Sequence, residues 1–300
     1  MSGQLTGPNS DPSLTSEALP MNHPIAAILL LASGFLGDDP PGSAPGVEAT
    51  RASRAGELAR AEAGLYRVEV GGGSKRAAEL RPESVLRWSN PVAGSIHGEV
   101  FVWTDRGRPA AIGSIYKWSS PNTHLGVELH ALTTEPISAD RRGRRVWSPG
   151  PAEVARRPIP GAPSPADSPA ARLRQLRTLA QEFAAAETTR EGVSRELRLL
   201  TRPIYRSEST NPEVIDGGLF VFVEGTDPEV ILIIEAIRGP SGPEWRYAAA
   251  RLNSIELRLN HKGREAWNAP VVPWAQAGDH AKPYTLFIYG SDPGITADGP

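Results

Sequence analysis

The sequence predicts a β-rich α+β fold of two tandem units, each a helix followed by an antiparallel β-meander. Three observations carry this. Short apolar runs separated by turn residues recur from Val85 onward. Ser168-Pro169 opens an amphipathic helical stretch as an N-cap and first-turn pair. The two strand-rich runs also match each other along the chain.

The N-terminal part reads as processing and linker sequence. Residues 1–20 are polar and predict a disordered extension. The apolar run 25–36 has the length of a signal-peptide core and is too short to span a bilayer. Ala32, Ser33, Gly34 and Gly37 offer a cleavage site, so 21–37 reads as a signal peptide starting at Met21. The stretch before the run has no Lys or Arg, and a buried apolar helix is the plainer alternative. Export, to the periplasm or the exterior, is the resulting expectation, with no stable membrane span once the signal is removed. Residues 38–48 read as a Pro/Gly linker.

The first unit is expected over 49–148. Its Ala-, Arg- and Glu-rich stretch 49–64 favours helix. The runs 99–103 and 111–116 form a hairpin around the turn residues Asp105 to Pro109. A third strand follows over 125–132 and a short fourth over 145–147. Residues 149–168 are too proline-rich for helix or central strand and read as an extended linker or strap. The second unit is expected over 169–290. It begins with a helix from Pro169 to about Glu187, on the helical spacing of Leu173, Leu176, Ala180 and Phe183. Strands are expected from Arg195. The runs 219–223 and 230–237 are apolar on both parities, as in strands buried on both faces. Tyr284 to Tyr289 closes the unit, and 291–300 reads as a disordered tail.

Residues 97–115 align without a gap on 216–234. Gly98 meets Gly217, Phe101 meets Phe220, Pro109 meets Pro228 and Ile112 meets Ile231. One residue later in offset, Leu132 meets Leu252, Gly143 meets Gly263 and Trp147 meets Trp267. Glycines, prolines and aromatics fix turns and core anchors, so their agreement points to duplication.

The stretches HGEVFVWTDRGRPAAIGSIYKW, PIPGAPSPADSPAARLRQLRTLAQEFAA and GLFVFVEGTDPEVILIIEA resemble a group of uncharacterised exported bacterial proteins, over roughly residues 80–270. The resemblance implies export and no established activity.

The chain has 300 residues, a net charge of −2 and no cysteine. The charge balance argues against a nucleic-acid partner. The missing cysteine excludes disulfides, thiolate metal sites and cysteine nucleophiles. Common hydrolase, zinc-protease and phosphate-loop motifs are absent. One polar set stands out: His97 and Glu99, two residues apart on one strand, and Glu128 and His130, two apart on another, with His124 nearby. Two imidazoles and two carboxylates can ligate a metal or run acid–base chemistry. Such residues are also ordinary on a solvated sheet face. The second unit carries Asp216, Gly218, Ala248 and Ala250 at the matching positions. The tryptophans read as core, the Arg141 to Arg145 run as a polar turn, and Asp227 with Glu229 as part of a hairpin turn. The sequence therefore favours a non-enzymatic exported binding or interaction protein on a duplicated β scaffold. Its ligand would be a small molecule or a protein, and no cofactor is expected. The alternative is a metal-dependent or acid–base hydrolase using the His/Glu set.

Overall fold

The computed structural model describes residues 45–150, 154–207 and 210–290. The expected extension, the signal peptide, the linker before residue 45 and the C-terminal tail lie outside the described residues.

Helix α1 (Pro45–Ala63) leads into β1 (Tyr66–Val70) and the two-residue strands β2 (Arg76–Ala77) and β3 (Glu79–Leu80). Strands β4 (Leu86–Ser89), β5 (Ser95–Asp105), β6 (Arg108–Ser120), β7 (His124–Ala131), β8 (Ile137–Arg141) and β9 (Arg144–Trp147) follow. The proline-rich strap contributes β10 (Arg157–Pro158), which pairs with a later strand as an edge. Then come α2 (Pro169–Ala180), β11 (Phe183–Thr188), β12 (Ser194–Leu199), β13 (Tyr205–Arg206), β14 (Val214–Glu224), β15 (Asp227–Gly239), β16 (Gly242–Arg251), β17 (Glu256–His261) and β18 (Arg264–Ala269). A short helix α3 (Trp274–Ala277) and β19 (Tyr284–Tyr289) complete the order.

All strand pairing is antiparallel. One sheet runs β2-β1-β8-β9 and a second β19-β7-β6-β5-β3, with β4 also on β5. The third runs β10-β16-β15-β14-β12-β11-β17-β18, with β13 on β14. The long hairpins follow from their residues. In β14 and β15 almost every position is buried, because both faces are covered. Leu219, Val221, Ile231 and Ile233 share one core cluster with Val100, Val102 and Ile112, so the two large sheets pack face to face. The opposite parity, Phe220, Phe222, Leu232 and Ile234, packs with Leu176 and Leu179 of α2. Helix α1 covers the other sheet's outer face through Ala59 and Ala63. The layers are thus helix, sheet, sheet, helix. Trp103, Trp147 and Trp245 are fully buried, as core residues should be.

Several boundaries differ from expectation. Helix α1 begins at Pro45, inside the predicted linker. Helix α2 has its expected cap, with Ser168 Oγ accepting from the Ala171 N–H at 3.3 Å, but it ends at Ala180. Residues 183–188 are strand β11, whose burial alternates along Phe183, Ala185 and Glu187. Alanine's helix propensity is a weak preference, and pairing with β12 and β17 overrides it. Strands β1 and β8 were not anticipated. Strand β19, expected to extend the second meander, instead pairs with β7. No helix among the described residues is long and apolar enough to cross a membrane.

Candidate functional site

The register of β5, β6 and β7 decides whether the four predicted site residues converge. Glu99 lies opposite Ile115, and Ile115 opposite Val127. Val100 lies opposite Ser114, and Ser114 opposite Glu128. Directly opposed residues share a face and successive residues alternate. Glu99 and Glu128 therefore sit on opposite faces of the sheet. Each pair shares a face internally, as expected, but the structure does not bring His97 and Glu99 together with Glu128 and His130. The geometry needed for a joint His/Glu centre is absent. Among the described residues no group of three or more His, Asp or Glu is placed to hold a metal ion.

The first pair lies beneath α1. His97 Nε2 is 2.7 Å from Glu48 Oε1, which also accepts from Ser95 Oγ at 3.0 Å. The His97 hydrogen bond holds the Glu48 carboxyl below its ordinary value. Glu99 Oε1 accepts from Arg60 Nη1 at 2.8 Å, and Arg87 Nε lies 3.1 Å from the same oxygen.

The second pair lies on the face that meets the other large sheet, and residues from the far end of the chain complete it. Pairing of β19 with β7 sets Tyr284 opposite His130. The Tyr284 hydroxyl donates to Glu128 Oε1 at 2.5 Å. Burial raises the Glu128 carboxyl to about 8, so it is protonated at neutral pH. His130 Nδ1 donates to the Ala131 carbonyl at 2.8 Å; a carbonyl only accepts, so Nδ1 carries the proton. Burial lowers this imidazole to about 4 and keeps it neutral. Its Nε2 is then an acceptor with no partner among the described residues. The Arg251 guanidinium lies 5.3 Å from the Tyr284 ring centre and donates to the carbonyls of Asn253, Pro270 and Ile255.

His130, Tyr284 and Arg251 line one side of a cleft of about 410 Å³. Val154, Ala249, Trp267, Val271, Val272 and Pro273 supply apolar wall, and the exposed Lys282 is at its margin. The volume is within the range of small-molecule pockets, and the mix of apolar wall with few polar groups is typical of them. His124, near this set in sequence, instead packs its ring against Trp118 and Tyr116.

Asp227 and Glu229 are more than a turn. Asp227 accepts from Asn90 Nδ2 at 3.0 Å, and Glu229 Oε2 is buried without a donor. Burial raises both carboxyls, and the charge of Asp227 adds to the effect on Glu229. Sequence reasoning missed Tyr284, Arg251 and Glu229 as neighbours of Glu128. The one local signal was Glu229, a charged residue directly before the apolar run 230–234.

No protein-family model, curated protein or solved structure matches the chain.

Proposed function

We propose that this chain is a non-enzymatic binding protein that takes one small, mostly apolar molecule into the cleft beside His130. The carrying observation is the neutral imidazole whose Nε2 accepts and has no partner among the described residues, set on a cavity with apolar walls. A ligand that places a hydroxyl or N–H on that nitrogen and its apolar body against Trp267 and Val272 satisfies both features. Lys282 suits an anionic end. Thermal unfolding against a panel of small apolar alcohols, amides and carboxylic acids tests this. A concentration-dependent rise in Tm with a member of the panel supports it. A Tm unmoved by every member opposes it.

We further propose that the scaffold arose from two tandem copies of one helix–meander unit. Registers repeat at an offset of 119: Leu80 opposite Trp103 answers to Leu199 opposite Phe222, and Val100 opposite Ser114 to Leu219 opposite Ile233. At an offset of 120, Ala139 opposite Trp147 answers to Leu259 opposite Trp267, with a ladder irregularity after Ala139 and Leu259 alike. The positive-φ pair Arg142 and Gly143 answers to Lys262 and Gly263. Export remains part of the reading, supported by the apolar run 25–36 and its polar flanks. A reporter active only outside the cytoplasm, fused after residue 45, tests it: an expressed but silent fusion contradicts export.

A further inference from the structure

A second cavity, of about 250 Å³, lies between α1 and β5, away from the cleft at His130. Two guanidinium groups converge there on a single carboxylate oxygen, Glu99 Oε1. Each guanidinium has five N–H donors; Arg60 commits one to Glu99, and Arg87 meets the same oxygen as an ion pair. With Arg60, Arg87 and Glu99 the site carries one net positive charge, and His97 is occupied by Glu48. The other oxygen, Glu99 Oε2, is buried and has no donor, although Glu99 is only 3% exposed. A buried acceptor in that condition calls for a hydrogen brought from outside.

The helix is shaped around this carboxylate. Ala52, Ser53 and Gly56 face the cavity. A Cβ at Gly56 would stand 2.7 Å from Glu99 Oε1 and 3.3 Å from Arg60 Nη1. Glycine is disfavoured inside a helix, and here it permits the close approach.

We propose that this cavity binds a small oxyanion that carries its own hydroxyl, namely inorganic hydrogen phosphate. The free N–H groups of Arg60 and Arg87 take its charged oxygens, and its P–OH donates to Glu99 Oε2. Glu99 repels an anion that has no hydrogen to offer. Sulfate is such an anion at neutral pH. A phosphate monoester, with a second pKa of about 6, is another at pH 8. Hydrogen phosphate keeps its proton there.

Calorimetric titration of the full chain at pH 8 with sodium phosphate, sodium sulfate and methyl phosphate tests the assignment. Phosphate is expected to bind saturably, and the other two at least about tenfold more weakly. Glu99→Gln is expected to bring sulfate to parity with phosphate, because the amide removes the repulsion. Gly56→Ala is expected to weaken phosphate at least about tenfold with the circular dichroism spectrum unchanged. Should Gly56→Ala fail to fold, the exposed Arg87→Gln is expected to give the same loss. Absence of saturable phosphate binding up to about 10 mM overturns the proposal. So does sulfate equal to phosphate in the unaltered protein, or phosphate binding unchanged in Arg87→Gln. None of these outcomes bears on the cleft at His130.

Discussion

Tyr284 donates its hydroxyl to Glu128 Oε1 at 2.5 Å, joining residues 156 positions apart. The contact exists because β19 returns to pair with β7, and it places a protonated carboxyl and a neutral imidazole beside one cleft. Burial of that carboxyl makes stability depend on pH.

Stability is expected to fall between about pH 6.5 and 8. Glu128 ordinarily titrates at 4.5 and in the fold at about 8, so between those values the folded state holds a proton that the unfolded chain has lost. Its contribution is complete below 4.5 and lost as pH rises to 8, at no more than about 1.4 kcal/mol per pH unit. His130, lowered from 6.5 to about 4, has the opposite slope between those values and offsets Glu128 there. Above 6.5 the raised acids act, with Asp227 up to about 7 and Glu229 and Glu187 adding to Glu128. Urea unfolding at pH 6.5 and 8 should show the decline, and Glu128→Gln should make it shallower. An unchanged slope in the variant contradicts the assignment.

Glu235→Gln is expected to cost about 3–5 kcal/mol, because it leaves buried guanidinium charge uncompensated. Burial acts to raise the Glu235 carboxyl, but hydrogen bonds from Arg108 and the charge of Arg156 outweigh it and hold it below the ordinary range. Arg108 donates through Nε and Nη2 at 2.7 Å each, and Arg156 Nε donates to Oε2. Three segments meet there: the start of β6, the strap and β15. Denaturant titration reads the loss, and a cost below about 1 kcal/mol would show the network to be dispensable.

Gly98→Ala and Gly217→Ala, at matching places in the two meanders, should differ. A Cβ at Gly98 would stand 2.4 Å from the Trp88 indole, which is itself held by a hydrogen bond to Ser114 Oγ at 3.1 Å. Displacing the indole should cost about 1–3 kcal/mol. At Gly217 the nearest atoms, Ser207 Oγ, Glu235 Cγ and the Ile234 carbonyl oxygen, would be at 3.1, 3.2 and 3.3 Å, so shifts of a few tenths of an ångström suffice. Equal costs by chemical denaturation would contradict this account of the Trp88 contact.

The parts of the fold legible in sequence were those with local causes. The β5–β6 and β14–β15 hairpins showed themselves by apolar runs around turn residues, and α2 by its Ser168 cap. The end of α2 was hidden, because Ala184, Ala185 and Ala186 favour helix locally while β12 and β17 recruit them into a sheet. The candidate site was legible only in halves. Alternation placed His97 with Glu99 and Glu128 with His130. It could not tell that Glu99 is in line with Val127 rather than Glu128. Nor could any local pattern bring Tyr284 and Arg251 to His130, since long-range strand pairing does that.

The most direct test of the binding reading is fluorescence titration with anilinonaphthalene sulfonate, an apolar anion with an N–H, into the unaltered protein and Val271→Trp. Val271 lines the cleft beside His130 and is exposed, so an indole there intrudes on the cleft without overpacking the core. The account predicts saturable one-to-one binding by the unaltered protein. It predicts a loss of at least about tenfold in Val271→Trp at unchanged Tm. Equal binding by both proteins, or no saturable binding by the unaltered one, would contradict it.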